Sequence, residues 1–436
     1  MIVEKQLISK ISRRLIPFLG LLYLIAYIDR QNVSFAKLQM VDALGMSESA
    51  YGLGASLFFI GYFFFEVPSN LVLAKVGASK WFARIIVSWG LVTVALAFTN
   101  SPTMFYILRF LLGACEAGFF PGVLYLLTLW YPFAYRAAMV GLFMIFSALA
   151  NAIGGPLGGI LLDLDGLQGL AGWKWIFIVT GIPAVVMGVV TLFYLPDSPD
   201  EVRFLSAEEK RWLHEQLAGE QTRMGDAGGH ALRALMDPRV LLMSLCFIAF
   251  PLSAYGLSYW LPTVIKSFGV GNTNNGLLNV IPWVLVAIGL YAVPRAAAHA
   301  TSKTPYIVAP AFFGALCLLL SALLQTPALQ FMFLCLAAAG IFSGVPVFWS
   351  LPTRFLKGAG AAAGLAAINS VGNLGGFIAQ NAVPWIKDRT GSTIAPMFFL
   401  AACLALGATL VLIVTGSTAR SQRRGGEKAP PSRQPG

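Results

Sequence analysis

The stretch LIPFLGLLYLIAYIDRQNVSF, residues 15–35, is apolar for most of its length and then carries Asp29 and Arg30 side by side. As a helix rising about 1.5 Å per residue, it is long enough to cross a hydrocarbon core of about 30 Å. Comparable apolar runs follow at 51–73, 81–99, 103–128, 137–162, 174–195, 240–262, 275–298, 305–324, 329–351, 360–385 and 395–416. Only helices or closed barrels satisfy their backbone inside lipid, and these runs lack the alternation of barrel strands. The expected fold is an all-α membrane protein with twelve transmembrane helices in two six-helix bundles. Residues 1–195 would form the N-terminal bundle and 196–239 a polar central loop, helical over 206–216. Residues 240–416 would form the C-terminal bundle, and the Arg/Pro/Gly-rich 417–436 a disordered tail.

Composition points the same way. Of 436 residues, 57% are hydrophobic and only 11% charged, too few charges to cover a water-facing surface. Mean hydropathy is +0.74. The net charge of +11 does not indicate nucleic acid, because the basic residues sit in the gaps between apolar runs. Cys115, Cys246, Cys317, Cys335 and Cys403 lie within apolar segments without CxxC spacing, which argues for free thiols. No small-residue cleavage site follows the first apolar segment, so a retained helix is expected there. Lys5, Lys10, Arg13, Arg14, Lys75, Lys80, Arg84, Arg136, the central loop, Arg295, Lys303, Arg354 and Lys357 fall on one side. The opposite side holds Lys37, Lys174, Lys266, Lys387 and Arg389. This bias places both termini and the central loop in the cytoplasm.

The halves resemble one another weakly. Gly141-Leu142 leads to Ser147 and a Gly154–Gly159 cluster; Gly364-Leu365 leads to Ser370 and Gly372–Gly376. Paired halves around a central loop are the layout of transporters that rock about a midplane site. Close helix packing alone would also explain the glycines.

Ionisable residues in a bilayer each cost roughly 2.5–3.5 kcal/mol on the mildest scale. Asp29, Arg30, Arg109 and Glu116 lie deep, with Glu66 nearer a helix end, all in the first half. Helix centres of the second half carry neutral polar groups, among them Tyr255, Asn279, Trp349, Asn369, Ser370 and Asn381. Arg109 and Glu116, seven apart, share one helix face, whereas the adjacent Asp29 and Arg30 must point roughly 100° apart. Arg30 is expected to face a cavity and bind an anion through its planar fork, with Asp29 turned to a neighbouring helix. The plainer alternative is a buried charge network without a ligand, and for Arg109 the two readings weigh equally. Glu66 reads as a helix-end or gate residue. Tyr62 would donate its hydroxyl to a carboxylate, and Trp349 would either stack on a substrate or pack in the core. His214, His230 and His299 fall between the spans, so proton handling within the membrane would use carboxylates. Moving one charge through 100 mV is worth about 2.3 kcal/mol, so an anion entering a negative interior needs accompanying protons.

YLIAYIDRQNVSFA, YGLGASLFFIGYFFFEVPSN, LRFLLGACEAGFFPGVLYLLTLWYP and PVFWSLPTRFLKGAGAAAGLAAINSVGNLGGF resemble the anion:cation symporter family of the major facilitator superfamily. The likeness runs from about Leu15 to Thr415 and is greatest to bacterial permeases for tartrate, phthalate and sugar acids. It implies the major facilitator fold and roles at matching positions. Arg30 and Tyr62 would bind the substrate carboxylate, with Ser147, Trp349 and Asn369 lining the rest of the pocket. Asp29 and Glu116 would carry protons, and Arg109 would be their electrostatic partner. The loop NLVLAKVGASKWFAR departs from the superfamily pattern, lacking its acid after Leu73 and Ala74, and VPRAAAHATSKTPY lacks the equivalent acid.

The expected function is proton-coupled import of a small organic carboxylate by alternating access. The expected partners are that anion, protons and the lipid bilayer, without nucleic acid, metal or cofactor. A monomer in a bacterial inner membrane is expected. The alternatives are an exporter of drugs or cations on the same fold, or a transporter-like sensor. The sequence offers no nucleophile–base set or phosphate loop for an enzyme.

Overall fold

The computed structural model describes residues 2–224, 237–298, 300, 302–324, 326–349, 351–352 and 359–426, and its regular structure is helical throughout. The first half contains α1 (Ile2–Ala43), α2 (Glu48–Val76), α3 (Ala78–Leu96), α4 (Pro102–Glu116), α5 (Phe119–Trp130), α6 (Phe133–Leu162) and α7 (Gly172–Tyr194). After α8 (Ala207–Met224) come α9 (Pro238–Lys266), α10 (Asn272–Leu278), α11 (Val280–Ala298) and α12 (Pro305–Leu323). The chain continues as α13 (Pro327–Ser343), α14 (Val345–Phe348), α15 (Ala359–Thr390) and α16 (Ala395–Gly426). Ten segments among the described residues are long and apolar enough to cross a membrane. The long helices α2 and α15 fill the two remaining expected spans. Large apolar side chains point outward, Phe193 86% and Leu323 66% exposed, a surface suited to lipid rather than water.

Local chemistry sets where the helices begin and break. Ser47 and Ser101 cap α2 and α4 by accepting from the backbone N–H groups of Ala50 and Met104. The span expected over 103–128 is two helices. Ala117 leaves the helical region and Gly118 adopts φ 91°, where a Cβ would run into Ser69 of α2. The spans expected at 275–298 and 329–351 are likewise divided, at Asn279 and after Ser343. By contrast α1 is 42 residues long, well beyond 15–35. Its added turns bury Leu7, Ile8 and Ile11 on one face, and Lys10 pairs with Glu209 of α8 at 2.8 Å. A capping box starts α8: Ser206 N–H donates to Glu209 Oε2 and Glu209 N–H to Ser206 Oγ. Helix α8 outruns the expected 206–216. At the other end α16 continues to Gly426, so residues 417–426 are helical rather than disordered; the first proline beyond the span is Pro430. His230 and His299 lie outside the described residues, as do 427–436.

Helix pairing repeats between the halves. In the first, α1 packs on α6, α2 on α4 and α3 on α7; in the second, α9 packs on α15, α11 on α13 and α12 on α16. In span order these are the same three pairs. The halves meet where α2 touches α15, α6 touches α10 and α11, and α1 touches α9. The glycine clusters serve both kinds of contact. On α6, Gly154 and Gly158 face Gln31 and Phe35 of α1, while Gly155 and Gly159 abut the backbone of α10 at Gly276 and Asn272. On α15, Gly372 and Gly375 face α9, and Gly376 faces Phe59 of α2. Ion pairs and hydrogen bonds join the halves at the end carrying the α1–α2 and α9–α10 turns. There Lys387 meets Glu48 at 2.6 Å, the Ser49 N–H donates to Asp388, and Asn272 and Thr273 donate to Asp163.

Candidate functional site

Four ionisable groups from two helices of the first half converge midway through the bundle. Asp29 is buried and turned into its own half. Its oxygens accept from Asn32 at 2.8 Å and from Thr93 of α3 at 2.7 Å, and Asn32 reaches Thr180 of α7 at 2.6 Å. Arg30, one helical step round, points between the halves. Its Nε donates to Glu116 Oε1 at 2.7 Å, Nη2 lies 2.6 Å from the same oxygen, and Nη1 donates to Tyr255 of α9 at 3.1 Å. The rings of Tyr27, Phe58 and Tyr62 stand 5.2, 5.5 and 5.4 Å from its guanidinium carbon. The Arg30 side chain is 17% exposed, whereas Asp29, Arg109 and Glu116 are 1–3% exposed. Arg30 is therefore the accessible member of the set.

Arg109 and Glu116 share α4. Arg109 donates through Nη2 to the Ala55 carbonyl of α2 at 2.8 Å and acts through space on Asp29 and Glu116. Its Nε and the Oε2 of Glu116 have no hydrogen-bond partner among the described residues. Gly113 lets α4 come so close to α2 that a Cβ there would strike the Phe58 carbonyl. Arg30, reaching over from α1, is what neutralises Glu116.

Of the remaining expected residues, Tyr62 stands against Arg30 and the other three are engaged with other partners. Tyr62 is buried beside Arg30. Ser147 of α6 donates to its own helix at Met144, and its carbonyl accepts from Asn151, whose side chain in turn accepts from Gln31. Trp349 follows α14 and packs edge-to-face on Phe247, with ring centroids 4.7 Å apart. Asn369 of α15 lies beside Glu66, one residue before Ser370, which donates to it. Two contributors are not evident from sequence reasoning. Glu66 reads as a helix-end residue yet is 2% exposed, with Ser370 donating to its Oε2 at 2.5 Å. Its spacing from Tyr62, one turn, was the available signal. Lys37, assigned to an outer loop, is buried, paired with Glu48 at 2.6 Å and 3.8 Å from the Trp260 ring centroid.

Two halves built on one helix-pairing scheme, meeting around charged groups held midway through the apolar spans, define a membrane transporter with a central site. The sequence model of the Major Facilitator Superfamily matches residues 19–380, and the chain belongs to that family. A "Quinolone resistance transporter" of Acinetobacter baumannii is 46% identical over 96% of this chain and 97% of its own length. A "Putative tartrate transporter" of Agrobacterium vitis is 41% identical over 96% of this chain and 93% of its own. The fold is shared with a solved bacterial homologue of the human lysosomal transporter Spinster, inward-facing and occupied. That match has TM-score 0.74 and 15% identity, over 92% of this chain and 96% of that one.

Proposed function

We propose that this transporter imports a small organic carboxylate together with protons, by alternating access. The supporting observation is Arg30: a guanidinium midway across the apolar spans, accessible where its neighbours are not, and facing Tyr255 of the other half. A carboxylate entering between the halves meets the Arg30 fork, the Tyr62 ring and the neutral polar side of the second half. Asn369, Ser147 and Trp349 complete the lining.

Coupling follows from competition. Arg30 is held by one oxygen of Glu116. An incoming carboxylate takes that guanidinium, and a buried Glu116 left without its cation takes up a proton. Asp29, which among the described residues accepts hydrogen bonds from the uncharged Asn32 and Thr93, is the second proton site, and Arg109 spreads positive charge between the two. Transport needs no cofactor beyond the proton. The basic-residue bias supports cytoplasmic termini in a bacterial inner membrane, and our reading is of a protein that works as a monomer. The joined end described above then faces outward.

The relative named for tartrate supports a carboxylate substrate, and the one named for quinolone resistance supports drug export as a second reading. Arg30→Ala separates them. Carboxylate uptake into proteoliposomes should vanish while the protein still reaches the membrane; an exporter that recognises a cation would be spared. With pH gradient and voltage set independently, uptake should respond to the pH gradient, and to voltage wherever the protons do not balance the substrate's charge. Uptake indifferent to both removes Asp29 and Glu116 from the proton path.

A further inference from the structure

Glu66 stands outside the mechanism above, yet its placement is unusual. It is 2% exposed, and its Oε2 accepts from Ser370 Oγ at 2.5 Å, with the Asn369 side chain beside the carboxyl, both on α15 of the opposite half. Its Oε1 has no partner among the described residues. The charged neighbour acting on it is Arg30 of α1, already engaged by Glu116 of α4. Tyr62 is the titratable group one turn back on α2, and the α15 groups beside the carboxyl among the described residues, Ser370 and Asn369, are neutral. A buried carboxyl with one bare oxygen and no committed cation is costly to keep as an anion.

Depth gives the contact its meaning. Helix α2 runs from Glu48, at the joined end, to Val76, and Glu66 lies past its midpoint towards the termini. Ser370 lies on the matching side of the midpoint of α15, which ends at Thr390 by the joined end. The bond therefore clasps the halves on the far side of Tyr62 from the Glu48–Lys387 pair. It must part before the terminal end can open.

We propose that Glu66 is a third proton-exchanging carboxyl, holding a proton while α2 and α15 are clasped and releasing it when they separate. The inference rests on the symport reading above. In the clasped state the proton sits on Oε1, and Oε2 accepts from Ser370. When the halves part, water reaches the carboxyl, the O–H bond breaks, the proton passes to the compartment then open, and the carboxylate is hydrated. Once the clasp has re-formed and the joined end opens, a proton from the compartment at that end reaches Oε1 through the cavity and restores the neutral group. Each cycle thus carries one proton from the joined-end side to the terminal-end side.

The test compares wild type with Glu66→Gln and Ser370→Ala in proteoliposomes, using tartrate as probe and measuring exchange, net accumulation and protons moved per substrate. Glu66→Gln keeps a neutral hydrogen-bonding side chain at the clasp. It should exchange substrate normally while its proton count falls by about one. Under a one-unit pH gradient its limiting accumulation then drops about tenfold, since each proton contributes a factor of ten per pH unit. Ser370→Ala retains the carboxyl and should keep the wild-type count. An unchanged count in Glu66→Gln, beside a coupled wild type, overturns this inference alone. Loss of exchange and uptake together in Glu66→Gln, with Ser370→Ala normal in every respect, makes Glu66 structural and also overturns it. A wild type that moves no protons sinks the symport reading and this inference with it.

Discussion

Successive residues on an α-helix point roughly 100° apart, and at Asp29 and Arg30 that step separates two environments. Asp29 enters a wholly neutral hydrogen-bond network inside its own half, whereas Arg30 joins Glu116 to Tyr255 across the interface. A lysine at position 30 keeps the charge but cannot donate from a rigid fork to both partners. Arg30→Lys should therefore reach the membrane normally yet show a KM raised about tenfold to a hundredfold. That follows from losing a hydrogen bond to a charged group worth roughly 1.5–3 kcal/mol. Uptake at varied substrate concentration measures it, and an unchanged KM would mean that charge alone recruits the substrate. These charged positions were legible in the sequence because each interrupts an apolar run. The partnerships were not. Glu66 with Ser370, and Arg30 with Tyr255, join residues more than two hundred positions apart, and a single chain without its tertiary fold does not reveal such contacts. Trp349 illustrates the same limit: its hydropathic setting allowed stacking or packing, and the structure lays its ring against Phe247.

Spans were easier to read than their interruptions. Apolar length located the membrane-crossing helices because the bilayer imposes it, but Gly118 breaks its span through a backbone conformation that hydropathy does not register. The glycine clusters were visible as a repeat. Which glycine faces which half depends on helix rotation, and α6 divides them so that Gly155 and Gly159 form the bearing against α10. Next to that bearing, Asp163 accepts from the Thr273 hydroxyl at 2.5 Å, from Asn272 at 2.8 Å and from the Thr273 N–H at 3.2 Å. Chiefly the Thr273 hydroxyl bond, with the Asn272 amide in support, holds the Asp163 carboxyl below the usual carboxylate range. A carboxyl more acidic in the joined state than apart supports joining fully above its free value, and that support fades as pH falls through the lowered value. Acidification should therefore loosen the α6–α10 contact, and Asp163→Asn should be looser at neutral pH and insensitive to acid. A disulfide-trapping rate between cysteines placed at Asp165 and Gly271 would report this. Equal acid sensitivity in the variant would show that other groups carry the effect.

At the scale of the molecule, α2 carries contacts to the opposite half both at the joined end and beyond the midpoint. It starts at Glu48, which binds Lys37 of its own half and Lys387 of the other, each at 2.6 Å, and it carries Tyr62 and Glu66 further along. Lys37 is the constrained partner, its side chain 2% exposed and its ammonium over the Trp260 ring. Glu48→Gln leaves that ammonium without a counter-charge. Removing one member of a fully buried pair costs about 3–5 kcal/mol. Glu48 itself is 20% exposed, so solvent screening reduces the loss to about 1–3 kcal/mol. Because the Trp260 ring over the Lys37 ammonium and the Lys387 partner both belong to the opposite half, the loss falls mainly on the state in which the halves are joined. The balance should shift towards the arrangement open at this end, by about tenfold for each 1.4 kcal/mol. Spin labels at residues 42 and 271 would show it as growth of a longer-distance population, with the thermal unfolding temperature little changed. A distance distribution identical to wild type would mean that the glycine bearings and the Asp163 contacts hold this end closed without the Lys37–Glu48–Lys387 bridge.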